Sequence, residues 1–247
     1  MSRYKLRANY DIENIDSQKM DGTVIVDVPM LSNGELNYGL SHIKKKLYEE
    51  NVYPSEIGFD IMSLATMVYM ADTRIERVVH GQDSWTREIE LEIPVSNVEI
   101  WDSQIRTVER MLKFLTGDLW KITLSSRAWQ FNNLEEVREK SNKYDEVSLF
   151  SGGMDSLIST INLMENKKNT LLISHAGEGL TKNAQKNIVN KFDLLYPDVL
   201  HTWLDLWMVF PRDYIPAGGN DNNTRSRSFL FIGYALFAMT GMDNINE

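Results

Sequence analysis

The chain reads as an α/β protein: a doubly wound parallel sheet in its C-terminal part, preceded by a smaller α+β unit. Three observations predict this. After residue 145, short apolar runs alternate with helical stretches, the pattern of strand–helix–strand units on a parallel sheet. Before residue 131, runs that alternate apolar and polar residues are mixed with segments of helical spacing. Between them, Asn132–Asp145 (NNLEEVREKSNKYD) is almost wholly polar and charged, as an interdomain linker or short exposed helix is. The expected division is an N-terminal extension over 1–131, a linker over 132–144 and a ligand-binding domain over 145–247.

Taken in order, Thr23–Val28 (TVIVDV) lies between Asp-Gly and Pro29 and reads as a strand. Gly39–Glu50 reads as a basic-faced helix ended by the Val52-Tyr-Pro54 segment. Ile57–Asp72 is apolar at helical spacing, with Ile61, Leu64, Ala65 and Val68 on one face. Trp85–Val95 alternates Arg87, Ile89, Leu91 and Ile93 against Glu88, Glu90 and Glu92, the signature of a half-exposed strand. Pro94 places a strand end or sheet edge there. Trp101–Leu115 returns to helical spacing, with Asp102 or Ser103 as cap and Gly117 as its end. Trp120, Ile122 and Leu124 mark another strand. Beyond the linker, strands are expected at Glu146–Phe150, Asn169–Ser174 and His201–Leu206, and helices at Asp155–Glu165, Thr181–Leu195 and Ser226–Thr240.

Composition narrows the function. The 247 residues carry a formal charge of −9 and a pI near 5.1. That balance argues against membrane-surface or non-specific nucleic-acid binding, which needs excess Lys and Arg. Cysteine is absent, so disulfides, a thiol nucleophile and Cys-ligated zinc are excluded. His42, His80 and His201 lack ligand spacing, and no zinc is expected. The first residues lack the apolar core of a signal peptide, and no apolar run reaches membrane-spanning length. A cytoplasmic protein is expected.

The most informative segment follows the strand ending at Phe150. It reads Ser151-Gly152-Gly153-Met154-Asp155-Ser156 and runs into an apolar helix. A parallel strand giving way to a helix gathers free backbone N–H groups and the positive end of the helix dipole, and anions bind there. Two glycines let the backbone turn sharply and approach a phosphate. Ser151 and Ser156 add hydroxyls. Asp155 suits either a helix cap or a share in binding Mg²⁺ beside phosphate oxygens. The turn is neither a Walker A loop, which needs Gly-Lys-Ser/Thr, nor a dinucleotide fingerprint, which needs G-x-G-x-x-G.

The SGGMDS turn resembles the PP-loop of the adenine-nucleotide α-hydrolase superfamily, which uses a Rossmann-like (HUP) parallel sheet. The Thr224–Gly241 stretch is similar to a segment of its 7-cyano-7-deazaguanine synthase (QueC-like) branch, with Arg225 on that branch's arginine four residues before Phe229. The Asp60–Arg74, Trp85–Arg87 and Phe114–Trp120 segments resemble the N-terminal extension of QatC-type proteins, the QueC-like components of bacterial Qat anti-phage systems. The resemblance implies an ATP-dependent, Mg²⁺-requiring ligase that adenylates a 7-deazaguanine-type carboxylate and releases pyrophosphate, so that an amine can attack. It implies nucleotide contacts from Phe150, Ser151, Gly152, Gly153, Met154, Asp155, Ser156, Ser174 and His175, metal binding by Asp155, and charge stabilisation by Asp155, Arg225 and Arg227. Partners would be the small-molecule substrate and other proteins of a defence operon. Two departures stand out. The branch's Cys-rich zinc site is absent, and Ser174-His-Ala-Gly-Glu-Gly179 replaces its Asp-Tyr-Gly-Gln-Arg. The stretch up to Glu247 accommodates fewer strands than the usual five, so an incomplete domain is expected.

Among other candidates, Pro216–Asn223 (PAGGNDNN) reads as a disordered loop or a lid over the nucleotide. Trp203 and Trp207 flank Asp205 and read as core or pocket wall.

Overall fold

A computed structural model describes residues 3–131, 143–175, 179–222 and 225–243. The chain runs through β1 (Arg3–Asn9), β2 (Asp16–Met20), β3 (Thr23–Pro29), the short pair β4 (Leu31–Ser32) and β5 (Glu35–Leu36), then α1 (Leu40–Glu49), α2 (Glu56–Arg74) and α3 (Arg77–His80). It continues with β6 (Glu88–Val95), α4 (Val98–Asp102), α5 (Ile105–Thr116) and β7 (Leu119–Ser126). The C-terminal part alternates β8 (Glu146–Leu149), α6 (Met154–Glu165), β9 (Thr170–His175), α7 (Gly179–Leu195), β10 (His201–Leu206) and α8 (Arg227–Met239).

The first sheet has the order β2-β3-β1-β6-β7 and is parallel except for β2. A small α+β unit was expected here; the sheet is instead mostly parallel. The reason lies in β1. Its inward residues Tyr4, Leu6 and Ala8 are buried but separated by Lys5 and Arg7, which reach Glu90, Glu92 and Asp27 on neighbouring strands. Only the cross-strand partners reveal that this strand is central. β2 is exposed throughout and carries no apolar signature. Pro94 is compatible with its strand because β6 pairs with β1 only as far as Glu92; beyond that it has β7 alone beside it.

The helix expected over Trp101–Leu115 is divided into α4 and α5. Neither Asp102 nor Ser103 caps either piece: the Asn97 side chain caps α4, accepting a hydrogen bond from the Ile100 N–H at 3.2 Å, and α5 opens at Gln104 without a side-chain cap. Gly117 ends α5 in the left-handed conformation, as its position suggests.

The second sheet, β10-β9-β8, is fully parallel and covered on both faces. On one face Phe150 and Leu172 pack with Phe192, under Leu157 and Ile161 of α6 and Ile188 and Val189 of α7. On the other, Leu171, Ile173, Leu204 and Leu206 join a large core that also holds α2, α8 and the inner face of the first sheet. That core is continuous across the 132–144 segment. Residues 132–142 lie outside the described residues; Tyr144 is buried and its hydroxyl reaches Thr202 at 2.7 Å.

Helix α2 packs on β1, β6 and α8, and α8 packs on β8 and β9, so this helix pair joins the two sheets. This explains why α2 is buried nearly all round rather than on one stripe. The helices approach so closely that a β-carbon at Gly233 would lie 2.8 Å from the Ala65 methyl. Among the described residues, no helix is long and apolar enough to cross a membrane.

Candidate functional site

The turn after β8 is built as a strand-to-helix corner. Phe150 is buried, and its N–H donates to the Ile173 carbonyl at 2.7 Å, continuing the β8–β9 pairing. The chain then emerges at Ser151. Gly152 adopts φ 83, a conformation that favours glycine, and a β-carbon there would meet the Gln185 side chain at 2.9 Å. Gly153 is different. Its φ of −85 and ψ of 171 suit any residue, and a β-carbon would meet only Ser151 Oγ, at 3.5 Å. The fold itself therefore requires a glycine at 152 but not at 153.

Gly153 caps α6 without a side-chain hydrogen bond. Ser55 caps α2 and Asn97 caps α4 through their side chains, whereas α1, α3, α5 and α8 open without a side-chain cap, as α6 does. The Ser151 hydroxyl accepts from Gly153 N–H at 3.3 Å and lies 3.2 Å from Ser156 Oγ, which donates to the Gly153 carbonyl at 2.9 Å. Among the described residues, no side chain caps the amides that follow Gly153, and the helix dipole makes that end positive. Ser151, Met154 and Asp155 are exposed around it.

Gln185 of α7 holds the turn from behind. It is fully buried, and its Nε2 donates to the carbonyls of Phe150 (3.3 Å) and Ser151 (3.0 Å). Sequence reasoning overlooked it. A signal existed: Ile188, Val189 and Phe192 form an apolar stripe at helical spacing, and Gln185 is the polar residue that continues it.

The other candidate residues divide into groups. Ser174 and His175 end β9, on the same carboxyl edge of the sheet as Ser151. Ser174 is buried and accepts from Trp203 Nε1 at 2.8 Å. Arg227 joins His175, donating to its carbonyl at 3.3 Å. Burial, with added repulsion from Arg227, pushes the His175 imidazole down to about 4, so it is neutral near pH 7. Arg225 points elsewhere. Its guanidinium donates to the Thr116 carbonyl at 2.9 Å and stacks 4.1 Å above the Trp85 ring.

What places Arg225 and Arg227 is a buried ion cluster that sequence reasoning also missed. Asp72, at the end of α2, accepts from the N–H and hydroxyl of Ser226 at 2.8 and 2.9 Å. Its other oxygen accepts from Arg87 and Arg77, and both arginines also donate to Asp118. Burial alone would raise the Asp118 carboxyl, but the hydrogen bonds from Arg87 and Arg77 outweigh it and hold the group below its ordinary value. The loop read as disordered or as a lid is tied to this cluster and its neighbours. Asp221 accepts from the Arg77 N–H, Gly218 from Glu76 N–H, and Ala217 from the Tyr4 hydroxyl. Through Asn222 it is therefore anchored; Asn223 and Thr224 lie outside the described residues.

Comparison of the chain with family models, with curated proteins and with solved structures gives no match.

Proposed function

We propose that the protein is an ATP-dependent adenylating enzyme of the PP-loop type. The observation that carries this reading is Gly153. The backbone does not need a glycine there, yet a side chain would stand over uncapped helix amides, where an anion would sit. A triphosphate fits that corner: exposed amides, two hydroxyls and the dipole's positive end favour it. Asp155, in the first turn of α6, would share Mg²⁺ with phosphate oxygens, a division usual for this ion. When bound, Mg²⁺ would neutralise phosphate charge.

In this reading the carboxylate oxygen of a 7-deazaguanine-type substrate attacks the α-phosphorus. The bond to the bridging oxygen breaks, and pyrophosphate leaves with its electron pair. An amine then displaces AMP from the acyl-adenylate. Ser151, Gly152, Gly153 and Ser156 position the phosphates, and Arg227 faces the same sheet edge through His175. Catalysis comes from positioning and electrostatics. The substrate class, the defence setting and a cytoplasmic location rest on the sequence resemblance.

A specific observation favours the alternative, a nucleotide-binding or scaffolding subunit of a defence complex. Arg225 is already occupied by Thr116 and Trp85 rather than by the Ser151 turn. One assay separates the two. Pyrophosphate release from ATP is measured with 7-deazaguanine carboxylates, an amine and Mg²⁺. Release that depends on the carboxylate supports adenylation; ATP binding without release sinks it and leaves the scaffold.

A further inference from the structure

Exposed apolar side chains gather at the amino ends of β6 and β7, on the first sheet rather than the sheet of the Ser151 turn. Helix α5 buries Ile105, Leu112 and Thr116, but Met111 and Phe114, about a turn apart on its outer side, are exposed, Phe114 at 92%. Trp85, 57% exposed, sits against the end of the same helix: a β-carbon at Gly117 would lie 3.4 Å from its Nε1. Arg225 holds it there, stacking 4.1 Å above the ring while donating to the Thr116 carbonyl. The exposed Val78 and Val79 of α3 extend the patch, since Arg77 of that helix donates to the Trp85 carbonyl at 2.6 Å. Single exposed apolar residues are ordinary, but a contiguous group marks an interaction surface.

The charge beside this patch is one-sided. Arg106, Arg110 and Lys113 follow one another along α5 at helical spacing, spanning roughly 10 Å of its axis. All three are exposed, and none has an ion-pair partner among the described residues. The acid on this helix, Glu109, is engaged elsewhere: it accepts from the Ile122 N–H at 2.8 Å, on the edge strand β7. On the outer face of the first sheet the cations are paired, Arg3 with Glu88, Lys5 and Lys121 with Glu90, and Arg7 with Asp27.

These features select one kind of occupant. Aromatic residues, Met and Arg are the types that protein interfaces enrich. Val78, Val79 and Met111 offer no flat face on which a nucleic-acid base could stack, and a net charge of −9 opposes phosphate backbones and anionic lipid alike. A two-fold contact with a second copy would set the row of cations against itself.

We propose that this surface docks an acidic segment of another protein. Large apolar side chains of the segment pack against Phe114 and Trp85, and its carboxylates meet Arg106, Arg110 and Lys113. Opposite charge across the contact speeds the encounter and selects the partner. Docking is independent of any chemistry at the Ser151 turn.

The test is fluorescence anisotropy of the full chain with a labelled peptide of Glu, Leu and Phe, against the same peptide with Lys in place of Glu. The acidic peptide is expected to bind, more weakly as salt rises, and the basic one to be excluded. Phe114→Ser removes an exposed ring without touching the core and should weaken the acidic peptide at least tenfold, as loss of an interface anchor does. Arg110→Glu should weaken the acidic peptide and strengthen the basic one. Thermal unfolding like that of the wild type shows that both variants are folded. Failure of the folded wild type to bind the acidic peptide, equal binding of the two peptides, or unchanged affinity in either variant overturns the proposal. So does a single-stranded oligonucleotide that binds more tightly than the peptide and depends on Phe114, which gives the surface to nucleic acid. A dimer in sedimentation that Phe114→Ser dissociates gives it to a second copy and overturns the proposal as well.

Discussion

Two polar regions of this molecule invite comparison: the ion cluster around Arg87 and the turn at Ser151. Both lie where a helix terminus meets loop backbone, and both gather polar groups. In the cluster, side chains satisfy one another: Arg87 alone donates to Asp72, Asp118 and the Ile75 carbonyl, at 1% exposure. At the turn, side-chain hydrogen bonds stop short of the helix amides, which remain uncapped and exposed. In the proposed function, the difference is that between a structural site and a candidate binding site. Polar groups paired within the chain hold it together, although Arg77 Nε in the cluster lacks a hydrogen-bond partner; in the proposed function, those left open at the turn are the ones a ligand would meet.

The sharpest way to break this contrast is to remove Arg87. Arg87→Met would leave Asp72 and Asp118 buried with too little positive charge, and should cost about 3–5 kcal/mol. Denaturant unfolding measures this; a loss below about 1 kcal/mol would mean the cluster is less dry than it looks. Next in size is an acid-sensitive term at His175. Its folded value is about 4 against an ordinary 6.5, so between these values the unfolded chain holds more protons than the folded one. Stability should therefore fall as pH drops from 6.5 toward 4, with a slope approaching 1.4 kcal/mol per pH unit for this group. In His175→Phe that limb should flatten, as read from unfolding midpoints across the range.

Gln185→Ala tests the support of the open turn. It removes two hydrogen bonds to loop carbonyls and should cost about 1–2 kcal/mol of stability, together with a loss of ATP affinity in a nucleotide titration. Unchanged affinity would show that the turn keeps its shape unaided. The smallest stability effect is the most diagnostic. Gly153→Asp would supply the missing cap, stabilising α6 by a few tenths of a kcal/mol, while its carboxylate takes the anion's place. Thermal unfolding should shift slightly upward as ATP binding disappears. Retained binding would dissociate the glycine from any ligand.

Much of the architecture was legible because it follows local periodicity. The strand–turn–helix around Ser151 is expected from a few consecutive residues, and β8, α6, β9, α7, β10 and α8 lie where their apolar spacing puts them. β1 was overlooked although Tyr4, Leu6 and Ala8 alternate with Lys5 and Arg7 as in a half-exposed strand; its central place depends on parallel partners far along the chain. The break between α4 and α5 was missed because the apolar spacing continues across it, while the Asn97 cap lies upstream of the expected start. Of the site residues, the Ser151–Ser156 run was readable as a contiguous motif. The roles of Gln185 and Asp72 were not, since each acts on a segment more than thirty residues away, although the apolar stripe of α7 marks Gln185 as buried.

The sequence by itself determined the helices, most strands and the strand-to-helix turn at Ser151, because these depend on neighbours within a few positions. Only the tertiary structure decided that α2 and α8 would join both sheets in one core, that Arg227 would meet His175 while Arg225 turned to Trp85, and that Gly153 is free of backbone need. Those outcomes depend on which distant groups meet in the interior, where burial penalises any polar group left without a partner.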